Sequence, residues 1–186
     1  VFDLVRRKAL RVSRKFRVCL ARCNFDLVRG SDIILLAVKP QDLSLVAPDI
    51  RAGWGDGRGK VLITVLAGTP IAKIRRILGN RMRMVRAMPN LGAQVGEAVT
   101  AITGSGQTEL RLAEIMFSAC GQVLRLPEKY FDVVTAVSGS GPAYFFFLME
   151  LLARAGRLGG LSKKDAQILA VQTAVGAGRL AQTSQD

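Results

Sequence analysis

Within residues 32–38, DIILLAV, the apolar run is continuous, and it constrains the fold more than any other stretch of the chain. A half-buried strand alternates apolar and polar residues, so an unbroken run of this length reads as a strand covered on both faces of a parallel sheet. Lys39-Pro40 stops it, because proline has no N–H for the ladder. Parallel neighbours need crossover connections, usually helices, and the rest of the first two thirds supplies them. VFD reads as the end of a strand, followed by a basic helix to about Phe16, a short strand near VCLA and a turn at Asn24. Residues 42–50 read as helix, AGWGDGRG as a loop, and KVLITVLAG (60–68) as strand. PIAKIRRILG reads as a helix opening on Pro70 and ending on Gly79. RMRMVRAMPN sets Met82, Met84 and Ala87 imperfectly against Arg81, Arg83 and Arg86 and reads as a strand closed by Pro89. EAVTAITG is a further strand, TELRLAEIMFSACG a helix capped by Thr108, and QVLRL the last strand. This βα alternation makes residues 1–126 an α/β domain built on a parallel sheet.

After Pro127 only helices are expected, so a second, all-helical domain covers residues 127–186. Its helices are residues 128–137, 142–158 and 163 to about 182, the last capped by Ser162 with Asp165 three positions on. The middle helix follows a Ser/Gly hinge in TAVSGSGPAYFFFLMELLARAG. Pro142 suits its first turn, with Ser140 or Gly141 as the cap. Being apolar on most sides, this helix suits burial in a domain or a subunit interface. Glu150 and Arg154 interrupt it short of the roughly 20 apolar residues of a membrane span.

The composition limits the chemistry. A 49% hydrophobic content suffices for a real core. With no histidine, Ser-His-Asp and Cys-His catalysis and mixed zinc sites are excluded. The three cysteines are odd in number, and Cys19 and Cys23 are four apart, which is not a CxxC spacing; structural thiols and no metal are expected. No secretory signal is visible, so the chain reads as cytoplasmic. The net charge of +13 suggests nucleic acid, but nine of the 27 basic residues fall in the first 30 positions, around a helix exterior. No recognition helix or aromatic-interleaved basic strand accompanies them, so a solvated basic face is expected, with neither nucleic acid nor membrane as partner.

Among the glycine-rich stretches, GWGDGRG (53–59) lies between helix and strand, the wrong place for a dinucleotide fingerprint. TGSGQTEL reads as a plain strand-to-helix turn. AVKPQ (37–41) says more, because it sits at the carboxyl end of a buried strand, where open α/β sheets place ligands. LAG (66–68) and AMPN (87–90) end the next two strands on the same edge, so three strand ends carry small or polar groups toward one crevice.

SDIILLAVKPQDL, VLITVLAGTPIAKIRRILG, RMVRAMPN and the stretch from AVSGSGPAYFFF to AVGAG together resemble the pyrroline-5-carboxylate reductases in order and spacing over essentially the whole chain. The resemblance implies a Rossmann-like NAD(P)-binding domain followed by a helical dimerisation domain that interleaves with its partner. It implies hydride transfer from NADPH or NADH to the C=N of 1-pyrroline-5-carboxylate, giving L-proline. Asn24, Ala37, Val38, Lys39, Pro40, Ala67 and Asn90 would then bind cofactor. Glu128, Ser138, Gly139, Ser140 and Gly141 would lie at the substrate, the last four shaping a pocket between the domains. Asp3 suits a free ribose 2′-hydroxyl, and Arg6 or Arg7 a 2′-phosphate, so both cofactors stay open. The proton for the imine nitrogen would come from a hydroxyl, water or a carboxylate. The family's favoured hydroxyl falls in a threonine- and glycine-rich loop after an acidic residue that Gln185 nearly reaches, so no catalytic residue is assigned.

The chain departs from the family pattern at both ends. It begins at the second strand, without the strand, GxGxxG and helix that cradle a pyrophosphate, and stops before the substrate loop. The sheet is therefore expected to be fragile and the chain alone inactive. Besides the reductase or a fragment of it, two other functions fit in part. One is a non-catalytic dimerisation or interaction module, supported by the apolar helix; the other is a basic nucleic-acid binder, resting on charge alone.

Overall fold

The computed structural model describes residues 1–184, and its contacts divide the chain into two compact units, Val1–Thr135 and a second beginning at Ala136. Gln185 lies outside the described residues.

The first unit holds a five-stranded sheet in the order β1 (Ile33–Leu36), β2 (Val61–Thr64), β3 (Met84–Met88), β4 (Ala98–Gly104), β5 (Gly121–Arg125). Its helices are α1 (Arg6–Phe16), α2 (Asn24–Arg29), α3 (Leu43–Trp54), α4 (Ile71–Leu78), α5 (Gln107–Ser118) and the short α6 (Phe131–Val134). The sheet is not wholly parallel. β1–β2, β2–β3 and β4–β5 are parallel, whereas β4 runs antiparallel to β3, with Met88 opposite Ala101. No α-helix lies between β3 and β4, only the 3-10 turn Leu91–Val95, so that connection lacks the crossover a parallel pairing needs.

Side chains alternate faces along each strand, and two groups of helices cover them. On one face Ile34, Leu36, Leu62 and Met84 join residues of α2, α3 and α4, among them Val28, Ile50, Trp54, Ile74 and Leu78. On the other, Val61, Ile63, Val85, Ala87 and Ile102 pack with Ala113 of α5. A third cluster, Met88, Ala101 and Phe131, extends the first face toward β4. The first unit runs past Pro127 because of this cluster, since Phe131 is 1% exposed on that face.

Several expectations change. β1 is covered on one face only, with Ile33 and Leu35 38% and 50% exposed beside buried Ile34 and Leu36. Residues 1–3 and 18–21 are not strands, yet two backbone bonds join them, Val1 N to Cys19 O at 2.7 Å and Ala21 N to Val1 O at 2.9 Å. Arg86 does not face solvent: every residue of β3 is buried. The cap of α5 is extended Gly106, not Thr108, and the Glu109 carboxylate lies where a Gly106 side chain would be.

In the helical stretch after Pro127 the Ser/Gly hinge is not a break. A 3-10 turn Glu128–Tyr130 leads into α6, a π-helical turn Thr135–Gly139 follows, and α7 (Gly141–Leu158) starts directly after Ser140. Ser140 makes no side-chain cap bond, consistent with a helical approach that leaves few orphan amides. In the second unit α7 packs on α8 (Lys163–Thr183) through small residues, with Gly156 against Ala166 and Ala166 and Ala170 buried. Ser162 caps α8 as expected, its Oγ accepting from Asp165 N at 3.1 Å. Within its unit α7 is not a buried helix, since Phe145, Phe146 and Phe147 are 62%, 59% and 62% exposed. By length and composition alone the stretch Glu128–Leu158 is also apolar enough to cross a membrane.

Candidate functional site

Because β1, β2 and β3 are adjacent and parallel, with Leu36 opposite Thr64 and Thr64 opposite Arg86, their carboxyl ends open on one edge. Ala37, Lys39 and Pro40 emerge there exposed from β1, with Val38 half-buried. Lys39 is extended, and Pro40 starts a 3-10 turn, so the chain leaves the sheet before helix begins. From β2, Leu66 and Thr69 stay buried while Ala67 and Gly68 are exposed between them. Thr64 Oγ1 accepts from Leu66 N and Thr69 Oγ1 donates to Ala67 O, which fixes this turn from within. Gly68 has φ +60 and open space where a side chain would project, so backbone is accessible there.

From β3 the edge carries Pro89 and Asn90. Asn90 Oδ1 accepts from Gly92 N at 3.2 Å and Val99 N at 3.4 Å, holding the turn into β4. The edge as a whole offers exposed backbone, small side chains and the Lys39 cation, a set that fits an anionic dinucleotide. Asn24 is half-buried and opens α2, whose C-terminus is held from below: Lys60 Nζ donates to Val28 O, Arg29 O and Ser31 O at 2.9, 3.1 and 2.7 Å.

Glu128 lies in the first unit, tied to two of these strand ends. Its Oε1 accepts from Ile71 N, the first amide of α4, at 2.8 Å and from Arg86 Nη1 at 3.0 Å. The Arg86 side chain is 4% exposed, and its guanidinium lies 4.6 Å from the centre of the Phe131 ring. Pro70, the residue before α4, has no side chain to cap that helix, so the carboxylate supplies from a distance what is absent locally. The sequence did point at Arg86. A charge between Val85 and Ala87 in a strand closed by Met88-Pro89 demands a counter-ion if the strand is covered on both faces, and only the assumption of alternation hid it. Ser138 and Gly139 finish the π-helical turn, Ser140 precedes α7, and Gly141, its first residue, is buried.

A parallel strand edge of small and polar residues, with helices on both sheet faces and a helical unit after it, defines a Rossmann-like α/β protein carrying a helical domain. The chain belongs to the pyrroline-5-carboxylate reductase family. Residues 128–186 match the family described as "Pyrroline-5-carboxylate reductase dimerisation". A pyrroline-5-carboxylate reductase of Methanosarcina acetivorans is 39% identical over 170 residues, covering 90% of this chain and 62% of that protein. The solved Coxiella burnetii pyrroline-5-carboxylate reductase is 31% identical with a TM-score of 0.86, over 95% of this chain and 67% of that one. The Plasmodium falciparum enzyme, solved with NADP bound, is 31% identical with a TM-score of 0.84, over 91% and 64%. The chain thus spans 62% of the Methanosarcina protein, and between 53% and 65% of the length across eight of its curated relatives.

Proposed function

We propose that this chain forms the nicotinamide-binding and dimerising part of a cytoplasmic pyrroline-5-carboxylate reductase, in which hydride passes from NADPH or NADH to the C=N of 1-pyrroline-5-carboxylate and yields L-proline. The observation that carries the reading is the shared edge of β1, β2 and β3, where Ala37, Lys39, Ala67 and Gly68 are exposed side by side. Residues 1–126 act as the cofactor domain and 127–186 as the helical domain, whose first residues up to Thr135 pack within the first unit. Ala37, Val38, Pro40 and Ala67 offer backbone and little bulk to the dinucleotide, Lys39 offers charge to a phosphate, and Asn24 and Asn90 flank it. When bound, the nicotinamide supplies the hydride. The chain's own residues bind and orient, with Ser138, Gly139, Ser140 and Gly141 at the imino acid. No proton donor is assigned to them. α7 and α8 bury their apolar surface in a homodimer.

The reading is tested by following NADPH oxidation with 1-pyrroline-5-carboxylate in the full-length protein. Turnover that falls steeply in Lys39→Glu supports it, and absence of both NADPH binding and turnover refutes it. The 186 residues taken alone are expected to bind cofactor weakly and not to turn over, because β1 stands at the sheet edge with Ile33 and Leu35 half-exposed. Imine-dependent oxidation by that chain would overturn this.

A further inference from the structure

We propose that Arg86 and Glu128 are a positioning pair that sets the cofactor edge, and that Glu128 works through the start of α4 and the end of β3, not by touching substrate; this rests on the reading of that edge as a nicotinamide site. Arg86 lies on the sheet face between two apolar clusters, Met84 with α3 and α4 on one side and Met88 with Phe131 on the other. A buried guanidinium there is costly unless paired. It has one carboxylate within reach at 3.0 Å and one aromatic face at 4.6 Å. The same carboxylate oxygen holds the Ile71 amide at 2.8 Å.

The connection to the edge is short. Ile71 follows the exposed turn Ala67-Gly68 through Thr69 and Pro70, and Arg86 precedes Asn90 through Ala87, Met88 and Pro89. One oxygen thus ties the turns after β2 and β3 together. With its lone pairs directed at Ile71 N and Arg86, that oxygen is committed to protein donors. A carboxylate at a helix N-terminus is favourable in its own right, so the arrangement is stable without ligand and holds the edge in shape beforehand.

The test compares wild type, Glu128→Gln, Glu128→Ala, Arg86→Lys, Arg86→Met and the Arg86→Met/Glu128→Gln double variant of the full-length protein. Three quantities are measured: NADPH affinity, KM for 1-pyrroline-5-carboxylate, and hydrogen exchange at the Ile71 amide. Glu128→Gln and Arg86→Met are expected to weaken NADPH binding roughly tenfold, about the loss of one charge-assisted hydrogen bond. The double variant should be no weaker than the worse single, and Arg86→Lys should recover part of the loss. A raised KM for the imino acid with unchanged NADPH affinity would make Glu128 a substrate contact and overturn the pair. Additive losses would do the same, as would unchanged affinity with lowered stability alone. If the wild type binds no NADPH, the reductase reading has failed, and the pair is judged by Ile71: slow exchange that accelerates in Glu128→Ala upholds it, and fast exchange in the wild type refutes it.

Discussion

Lys60→Met keeps the aliphatic stem and removes only the ammonium, which makes it a clean probe of how α2 is held. In the wild type that ammonium donates to three carbonyl oxygens at 2.7 to 3.1 Å, all at or just after the last turn of α2. Those carbonyls are among the orphan acceptors of a helix end, and a cation suits the negative pole there. A charge-assisted bond contributes about 1.5 to 3 kcal/mol when buried. Two of the three are only part-buried and the Arg29 one is exposed, so about 1 kcal/mol each and a total of about 2 to 3 kcal/mol is the fitting scale. The assay is urea unfolding followed by the fluorescence of Trp54, the chain's one tryptophan, which is 6% exposed in the same cluster as Val28 of α2. With an m-value of about 2 kcal/mol/M the midpoint should fall by about 1 to 1.5 M. Because the acceptors are neutral carbonyls, the loss should persist in high salt, unlike that of a surface ion pair. A midpoint shift below about 0.3 M would show that water replaces the ammonium at no cost and refute the reasoning.

The Thr100 hydroxyl is fully buried with no hydrogen-bond partner, so Thr100→Val should raise stability by about 1 kcal/mol in the same unfolding assay. The Arg125 guanidinium, hydrogen-bonded to Glu114, holds that carboxyl below its ordinary range; partial desolvation opposes it less strongly, and the charges of Arg125 and then Arg111 lower it a little further. A depressed folded-state value means stability that is present above the unfolded carboxylate pKa and lost as pH falls through the folded one. Thermal scans of wild type and Glu114→Gln should therefore differ slightly at neutral pH, converge in acid, and converge in high salt because the pair lies at the surface, Arg125 exposed and Glu114 half-buried. On the proposed homodimer, Phe146→Asp should shift sedimentation from dimer to monomer while leaving the Trp54 transition of the first unit in place.

The sequence carried the five strands of the sheet, their order along the chain and most helix limits, because apolar runs, prolines and caps act locally, but it also offered strands at VFD and VCLA that do not form. Ser162 before α8 and the apolar run of β1 lie where they were expected, and α4 begins at Ile71, one residue after the Pro70 that was expected to open it. What it did not carry is set at a distance. The half-exposed face of β1 depends on which helices cover which strands, and the cluster that α5 joins there takes residues from β2, β3, β4 and β5 but none from β1. The continuity across residues 135–141 was hidden because Ser and Gly are punctuation by composition, whereas a π-helical turn lets Ser138 and Gly139 remain helical. In the candidate site, the strand-end residues were legible from position alone, and the need of Arg86 for a counter-ion was too, but the pairing of Glu128 with Arg86 and the Ile71 amide was not. Both of them are more than 40 residues away in sequence.

That long-range pairing follows from the one antiparallel step in the sheet. β4 starts where β3 ends, and β5, parallel to β4, runs back so that Arg125 is level with Ile102 and Ile102 with Ala87. Leu126 N still bonds Ile102 O at 3.1 Å, so the chain leaves the sheet at the height of β3's middle residues, not at the ligand edge. Pro127 then turns it onto the sheet face, and Phe131 settles on Met88 and Ala101. This route carries Glu128 past Arg86 and up to the first amide of α4. Had β4 paired parallel to β3, β5 would have ended at the ligand edge beyond Asn90. The reversal between β3 and β4 is therefore what limits the candidate edge to three strands and what delivers the carboxylate that braces two of them.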